Sequence, residues 1–417
     1  MAQLSADCFA HGGKLMSLED ALALIEERTT IMVDVESIVL REALGRILAE
    51  DVIAPFPVPP HANSAVDGYA IRFDDLSADT DTVLRVKGRA AAGHPEPRAL
   101  QRGEAIRVFT GAVMPEGADT VMMQEDCRVD GDRVVIPPGI KHGANRRRAG
   151  EDVEAGAVAL GAGTRLRPQE IGLAASLGLA SLPVRKRLRA ALLSTGDEIL
   201  EPGQALTAGH IYDSNRYTLS ALLTGLGVAV TDLGILPDRE PIIRAALEHA
   251  ARDHDLILSS GGVSVGEEDH VKAAVEALGS LYFWRLAIKP GRPIALGQIG
   301  ATPFVGLPGN PVAAMVTFLR LVRPLILRLA GARDRQPPFF RVRAGFEHRK
   351  KKGRREWVRV SLVENDGSGL EARKFPRQGA GILSSLVASD GLAELPEDLT
   401  RVEPGTMVDV LPFAEVL

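Results

Sequence analysis

Between about Arg187 and Gly331 the chain alternates short apolar runs with longer segments of helical period. Strands are predicted near Ala190, Val228, Leu256, Tyr282, Ile294 and Phe304, and helices over Asn215 to Leu226, Glu240 to Asp253, Asp269 to Leu278 and Pro311 to Ala330. Strand and helix in turn imply a parallel sheet covered on both faces. Ligands of such sheets sit beyond the carboxyl ends of the strands.

The flanks follow other rhythms. Ser17-Leu-Glu-Asp20 is a helix-capping signal, and Ile38 to Ala49 reads as a second helix ending near Asp51. The run Pro55-Phe-Pro-Val-Pro-Pro60 excludes regular structure and marks a boundary. From His61 to about Gly143 short strands such as Thr82 to Val86, Ala105 to Phe109 and Arg133 to Ile136 are broken by Gly and Pro. Glu151 to Leu182 reads as a strand, a turn and a helix opened by Pro168 and closed by Gly178, so the β segment before it looks like an insertion. Arg341 to Leu417 returns to short strands with hairpin turns at Asn365-Asp-Gly367 and Glu403-Pro-Gly405. The expected domains are residues 15–54 with 144–185, an inserted β domain at 55–143, an α/β domain at 186–331 and a β-barrel domain at 332–417. The fold class is multidomain, with a doubly wound, mostly parallel α/β domain beside β domains.

Composition narrows the chemistry. The 417 residues exceed one typical core. A net charge of −5 leaves no broad basic face, so no nucleic-acid partner is expected. The basic run His348 to Arg355 keeps RNA or phosphate binding as an alternative there, with Trp357 its one nearby aromatic. Cys8 and Cys127 are too few and too far apart for a zinc or iron–sulfur site or a disulfide framework, and a reducing cytoplasmic setting is expected. Met1 to Leu15 lacks a basic start and apolar core, so no secretion signal is expected. The longest apolar stretch, Pro311 to Ala330, contains Arg320, Arg323 and Arg328, and no membrane span is expected.

Three loops carry the candidate chemistry. Asp255 to Asp269 runs from an apolar strand through Gly261, Gly262 and Gly266 to a carboxylate at a helix mouth. Backbone N–H groups in such a turn can close on a phosphate, with Ser259, Ser260 and Ser264 adding hydroxyls. Leu192 to Glu198 and Phe304 to Pro311 repeat the device. Glu198, Asp238 and Asp269 stand where Mg²⁺ would find carboxylates beside phosphate oxygens, the alternative being that each caps a helix. Glycine spacing fits a nicotinamide site poorly, because no first Rossmann strand precedes it. Lys289 and Arg292 flank a proline-stiffened turn suited to an oxyanion, with Arg285 before them a weaker candidate, and the alternative for Arg292 is a surface ion pair. Asp67 and Thr110 sit on open turns of the inserted segment. His61 is read as a loop residue rather than a metal ligand, and Arg146-Arg-Arg148 as a solvated face or subunit contact.

Taken in order, Asn63-Ser-Ala-Val-Asp-Gly-Tyr-Ala70, Thr110-Gly-Ala-Val-Met-Pro-Glu-Gly117, Ser194-Thr-Gly-Asp-Glu198, Ser259 to Gly266, Lys289-Pro-Gly-Arg-Pro293 and Gly306-Leu-Pro-Gly-Asn-Pro311 closely resemble the molybdopterin molybdenumtransferase (MoeA) family, to which the gephyrin E domain also belongs. The resemblance runs through almost the whole chain. It implies an elongated homodimer of four-domain subunits with an α/β domain of molybdopterin-binding type. It also implies that adenylylated molybdopterin and molybdate yield molybdenum cofactor and AMP with Mg²⁺ assisting. Asp67 and Thr110 of one chain would face Glu198, Asp238, Asp269, Lys289, Pro308 and Pro311 of the other, with Asp152 joining them. On this reading the catalytic set is Asp67, Thr110, Glu198 and Asp269. Metal ligands are Glu198, Asp269 and Asp67, and substrate contacts include Gly261, Gly262, Ser264, Arg285, Lys289, Arg292 and Arg359. Transient contacts with molybdopterin adenylyltransferase and molybdoenzyme maturation factors follow from the same resemblance. The chain departs from the family at Ala62 or Asn63, Val66 and Ala380, the last removing a hydroxyl from a candidate pterin or molybdate contact. Two rivals stand beside this reading: a cofactor-holding or scaffolding module without turnover, and the adenylylation of molybdopterin.

Overall fold

The structure, a computed structural model, describes residues 15–261, 270–291, 293–365 and 369–416. They form two compact units, one of residues up to Glu50, Ala162–Arg167 and Leu182 onward, the other of Asp51–Gly161 and Pro168–Ser181.

The larger unit is built on a six-stranded sheet in the order Ala229–Leu236, Arg189–Thr195, Leu256–Ser260, Thr302–Leu307, Pro293–Ile299, Gly279–Arg285. The first four strands run parallel. The last two are antiparallel, so the sheet is mixed where alternation alone implied a parallel one. The cause is spacing: Ile299 and Thr302 are register partners across a tight turn, with no room for a crossover helix.

Period-two alternation divides the strand residues between two cores. Ala190, Leu192, Leu256, Leu258, Val305 and Leu307 point one way, toward helix Asn215–Gly225 and the helical stretch from Pro311 to Leu329. Ala191, Leu193, Ile257 and Phe304 point the other way, onto Ile243, Leu247 and Ala250 of Glu240–Asp253 and Val271, Ala274 and Val275 of His270–Leu278. The stretch from Pro311 to Leu329 is continuous but passes through a π-helical turn at Phe318–Val322.

The N-terminal helix Leu18–Arg28 is capped as its sequence predicts, Ser17 Oγ accepting the Asp20 N–H at 3.0 Å. The second helix expected over Ile38 to Ala49 does not form. Val35–Val39 is a strand, Leu40–Glu42 a single 3₁₀ turn, and Gly45 adopts φ +74°. β-Branched Ile38 and Val39 favour extended backbone, and Arg46 to Ala49 are buried consecutively, which no single helix face allows. Ile47 and Leu48 instead bridge to Arg165 and Val184.

At the C-terminal end, strands Arg355–Asn365, Gly369–Lys374, Phe340–Ala344, Met407–Pro412 and Gly391–Leu395 close on themselves into a five-stranded barrel. The turn at Glu403-Pro-Gly405 is present but joins no hairpin. Arg401–Val402 pairs with His348–Arg349, whereas Met407–Pro412 pairs with the barrel. Arg355, at the end of the basic segment, is paired with Glu19, Glu394 and Glu397.

The smaller unit holds a six-stranded sheet ordered Thr120–Met123, Gly68–Ile71, Glu104–Val108, Thr82–Ala90, Arg133–Ile136, Arg128–Asp130. Gly68 is required here, since a Cβ would stand 2.0 Å from the Met122 carbonyl oxygen. Among the described residues no helix is long and apolar enough to cross a membrane.

Phe304 lies fully buried on a central strand of the larger unit. Phe304→Ala should cost about 3–5 kcal/mol, read as a lowered denaturant midpoint for the unit that contains it.

Candidate functional site

Because four strands run parallel, their carboxyl ends lie along one edge, and the loops that follow them converge there. They line a cavity of about 650 Å³. Thr195, Gly196 and Glu198 come from the first loop, Asp238 from the second, Ser260 and Gly261 from the third, and Gly309, Asn310 and Pro311 from the fourth. Glu198 folds its carboxylate back over Gly196, where a Cβ would meet Oε2 at 2.6 Å. The Thr195 hydroxyl is buried without a hydrogen-bond partner.

Asn215 ties these loops together. Its Nδ2 donates to Ser260 Oγ at 2.9 Å and to the Gly309 carbonyl at 2.8 Å, and the residue is buried. The adjacent Arg216 is a strut. Its backbone N–H and Nε donate to the two oxygens of Asp213, at 3.0 and 3.1 Å, while its terminal nitrogens reach Asp232 and Glu201. Burial alone would lower its pKa, but the Asp213 hydrogen bond and the charges of Asp232, Glu201 and Asp213 outweigh that and raise it. The arm between Glu198 and Asn215 is thereby fixed and presents Ile199, Ile211 and Tyr212 to the cavity.

A barrel loop supplies Gly381 and Leu383. Arg359, 1% exposed, holds it from beneath: Nε donates to Ser385 Oγ at 3.0 Å, and Nη2 to the Gly379 and Arg377 carbonyls at 3.0 and 3.4 Å. Burial pulls the guanidinium down to about 10, which leaves it charged at neutral pH. The Ala380 carbonyl accepts the Val312 N–H at 3.0 Å, docking the loop on the helix that Pro311 opens.

The smaller unit holds a second centre. Asp67 Oδ1 accepts both the backbone N–H and the hydroxyl of Thr110, each at 2.8 Å. Those two bonds, backbone first, hold the carboxyl below its ordinary range against a small opposing desolvation, and the Arg107 charge adds to them. Asp67 is therefore a persistent anion, an acceptor rather than a strong base.

The structure thus gathers Glu198, Asp238, Gly261 and Pro311 around one cavity and pairs Asp67 with Thr110. Asp238 is not the cap residue of the following helix, a position taken by Arg239. Lys289 is half-exposed and bound to Glu356 at 3.1 Å, which His348 also contacts, and it does not line the cavity. Arg285 is exposed at a strand end, Pro308 is buried just before the cavity loop, and Asp152 and His61 are exposed residues of the smaller unit. Gly262, Ser264, Asp269 and Arg292 lie outside the described residues. Sequence reasoning missed Tyr212, Asp213, Asn215, Arg216 and Leu383. The signal for four of them was Ile211-Tyr-Asp-Ser-Asn-Arg216, a carboxylate and an amide just ahead of a helix. No group of three His, Cys, Asp or Glu side chains placed to hold a metal occurs among the described residues.

The Asp67 shift yields a direct test. Thr110→Val removes the hydroxyl donor but keeps the backbone one, so the Asp67 carboxyl should titrate higher than in the parent protein by NMR while staying below an ordinary aspartate. Because the folded pKa is depressed, its contribution to stability is full above the ordinary carboxylate range and is lost as pH falls through the folded value. An unmoved titration would remove the hydroxyl from the account.

Family models match along the chain: the MoeA N-terminal region (domains I and II) over residues 16–178, a probable molybdopterin binding domain over 191–328, and the MoeA C-terminal region (domain IV) over 341–413. The chain is 40% identical over 405 residues to a molybdopterin molybdenumtransferase of Haemophilus influenzae, covering 97% of this chain and 100% of that protein. It is 36% identical to one of a Nostoc species, over 91% and 88% of the two chains. A crystal structure of a molybdopterin biosynthesis MoeA protein from Pyrococcus horikoshii superposes with a TM-score of 0.82 at 32% identity, over 95% of this chain and 99% of that one. With matches of this extent in sequence and in fold, the chain belongs to the MoeA family of enzymes, the molybdopterin molybdenumtransferases.

Proposed function

We propose that the protein transfers molybdenum from molybdate to adenylylated molybdopterin, releasing AMP and leaving the molybdenum cofactor. The observation that carries this reading is the cavity of about 650 Å³, of a size for a cofactor-like ligand, edged by the Glu198 and Asp238 carboxylates. Its polar rim of Thr195, Asn215, Ser260 and Asn310 suits phosphates and ring heteroatoms, and Ile211, Tyr212 and Leu383 give it an apolar side.

Sulfur for the metal comes from the substrate's own dithiolene on this proposal. The Cys127 thiol donates to the Met123 carbonyl, and burial pushes it up to about 11, so it stays protonated at neutral pH. Cys8 lies outside the described residues. Mg²⁺ belongs to the proposal as well. Its preference for one or two carboxylates with phosphate oxygens and water fits Glu198 and Asp238, and when bound it would neutralise the pyrophosphate. Opening the phosphoanhydride breaks one P–O bond while an oxygen nucleophile bonds to phosphorus and AMP departs. Asp67, kept ionised by Thr110, would orient that nucleophile as an acceptor. A cytoplasmic homodimer with shared active sites completes the reading.

The purified protein should release AMP from adenylylated molybdopterin when molybdate and Mg²⁺ are supplied, and Asp67→Asn or Glu198→Gln should lower the rate at least about a hundredfold, within the span of a lost positioning or charge-stabilising group. ATP consumption with unadenylylated pterin would support the adenylylation reading instead. If active sites are shared across a twofold dimer, mixing the two inactive variants should restore up to about a quarter of parental activity, because half the dimers are mixed and each keeps one intact site. Equal inactivity of the mixture and its parts, with subunit exchange verified, would rule the shared site out.

A further inference from the structure

A charged row in the smaller unit takes no part in the reaction as proposed. Register sets Tyr69 opposite Arg107, and Arg107 opposite Arg89, across three neighbouring strands, so all three leave the same face of the sheet. Phe109, two residues beyond Arg107, joins them. The Arg89 guanidinium carbon lies 4.6 Å from the Phe109 ring centroid and that of Arg107 4.8 Å, while Arg107 also lies 5.1 Å from the Tyr69 ring.

Two cations directly opposite in a sheet repel unless an anion joins them. Arg107 is anchored by its Nη1 bond to the Gly68 carbonyl at 3.1 Å and by the Gln124 side-chain oxygen, and neither partner is charged. The Arg89 guanidinium is exposed and has no hydrogen bond or ion pair among the described residues, since Glu96 accepts from the Arg89 backbone N–H rather than from its side chain. Asp67 is within electrostatic range of Arg107, but its Oδ1 is committed to Thr110. Rigid aromatic stacking thus holds two guanidinium groups side by side, next to a catalytic candidate, without a carboxylate between them.

We propose that Arg89 and Arg107, braced on Phe109 beside the Asp67–Thr110 pair, form a binding site for a tetrahedral oxyanion. Guanidinium groups favour such ligands through paired, charge-assisted hydrogen bonds. The identity of the ligand rests on the proposed function, which offers two sources of the same chemistry: a substrate phosphate or molybdate.

Arg89 is the residue to change, because its side chain makes no hydrogen bond or ion pair among the described residues and only stacks on Phe109. Full-length protein and its Arg89→Ala and Arg89→Lys variants would be titrated calorimetrically with AMP, inorganic phosphate and molybdate at low ionic strength. Arg89→Ala should weaken at least one of the three about tenfold, with Arg89→Lys in between. A loss confined to AMP and phosphate assigns the site to the substrate phosphate, and one confined to molybdate assigns it to the metal oxyanion. Unchanged affinity for all three, or no binding of any by the parent protein, overturns the proposal. Absence of molybdate-dependent AMP release would sink the proposed function while leaving these affinities to be judged by themselves.

Discussion

The parallel pairing of Arg189–Thr195 with Ala229–Leu236 and Leu256–Ser260, and of the last with Thr302–Leu307, is the constraint on which the functional edge depends. Parallel strands deliver their exits to the same side, so four loops distant in sequence meet without any of them having to travel. The alternation of Ala190 and Leu192 against Ala191 and Leu193 keeps that pairing in register, because a slip of one residue would exchange the two cores. Packing therefore fixes the strand ends that Glu198 and Asp238 follow.

Buried guanidinium groups do the remaining alignment. Arg216 gathers Asp213, Asp232 and Glu201, and Arg359 gathers three acceptors of the barrel loop, each joining segments that share no strand. Arginine suits this role because its planar fork offers several fixed donors and keeps its charge when desolvated. The two differ in kind. Arg216 is neutralised by carboxylates, whereas Arg359 is satisfied by neutral oxygens and carries its charge into the barrel.

The local signals were strong where one segment settles its own structure. Ser17 caps its helix, Pro311 opens the helix after the last parallel strand, and the six strand positions near Ala190 to Phe304 all form. Sequence reading failed where tertiary partners decide. The stretch from Ile38 to Ala49 has enough apolar residues for a helix, yet Ile47 and Leu48 are claimed by Arg165 and Val184, more than a hundred residues away. The candidate site divides the same way. Carboxylates after predicted strands pointed to the cavity, but the role of Asn215 depends on Ser260 and Gly309 arriving beside it, and no local pattern announces that. Lys289 shows the converse, since a stiffened cation looked available until Glu356 and His348 stood next to it.

If the cavity takes phosphates, as proposed, its acidic rim needs a physical reason. Glu198 and Asp238 would repel an anionic substrate, and among the described residues Lys289 is committed to Glu356 and Arg216 to its three carboxylates. A carboxylate pair beside phosphates becomes favourable once a divalent cation lies between them, because each side then meets positive charge at close range in a partly desolvated cleft. The Asp67 centre meets the same difficulty in another way: Thr110 stabilises its negative charge locally, and Arg107, opposite Tyr69 on the neighbouring strand, counters that charge at longer range. On the proposed function, acids that would otherwise expel the substrate become compatible with it through separate means, an exchangeable ion at the cavity and fixed guanidinium groups near Asp67.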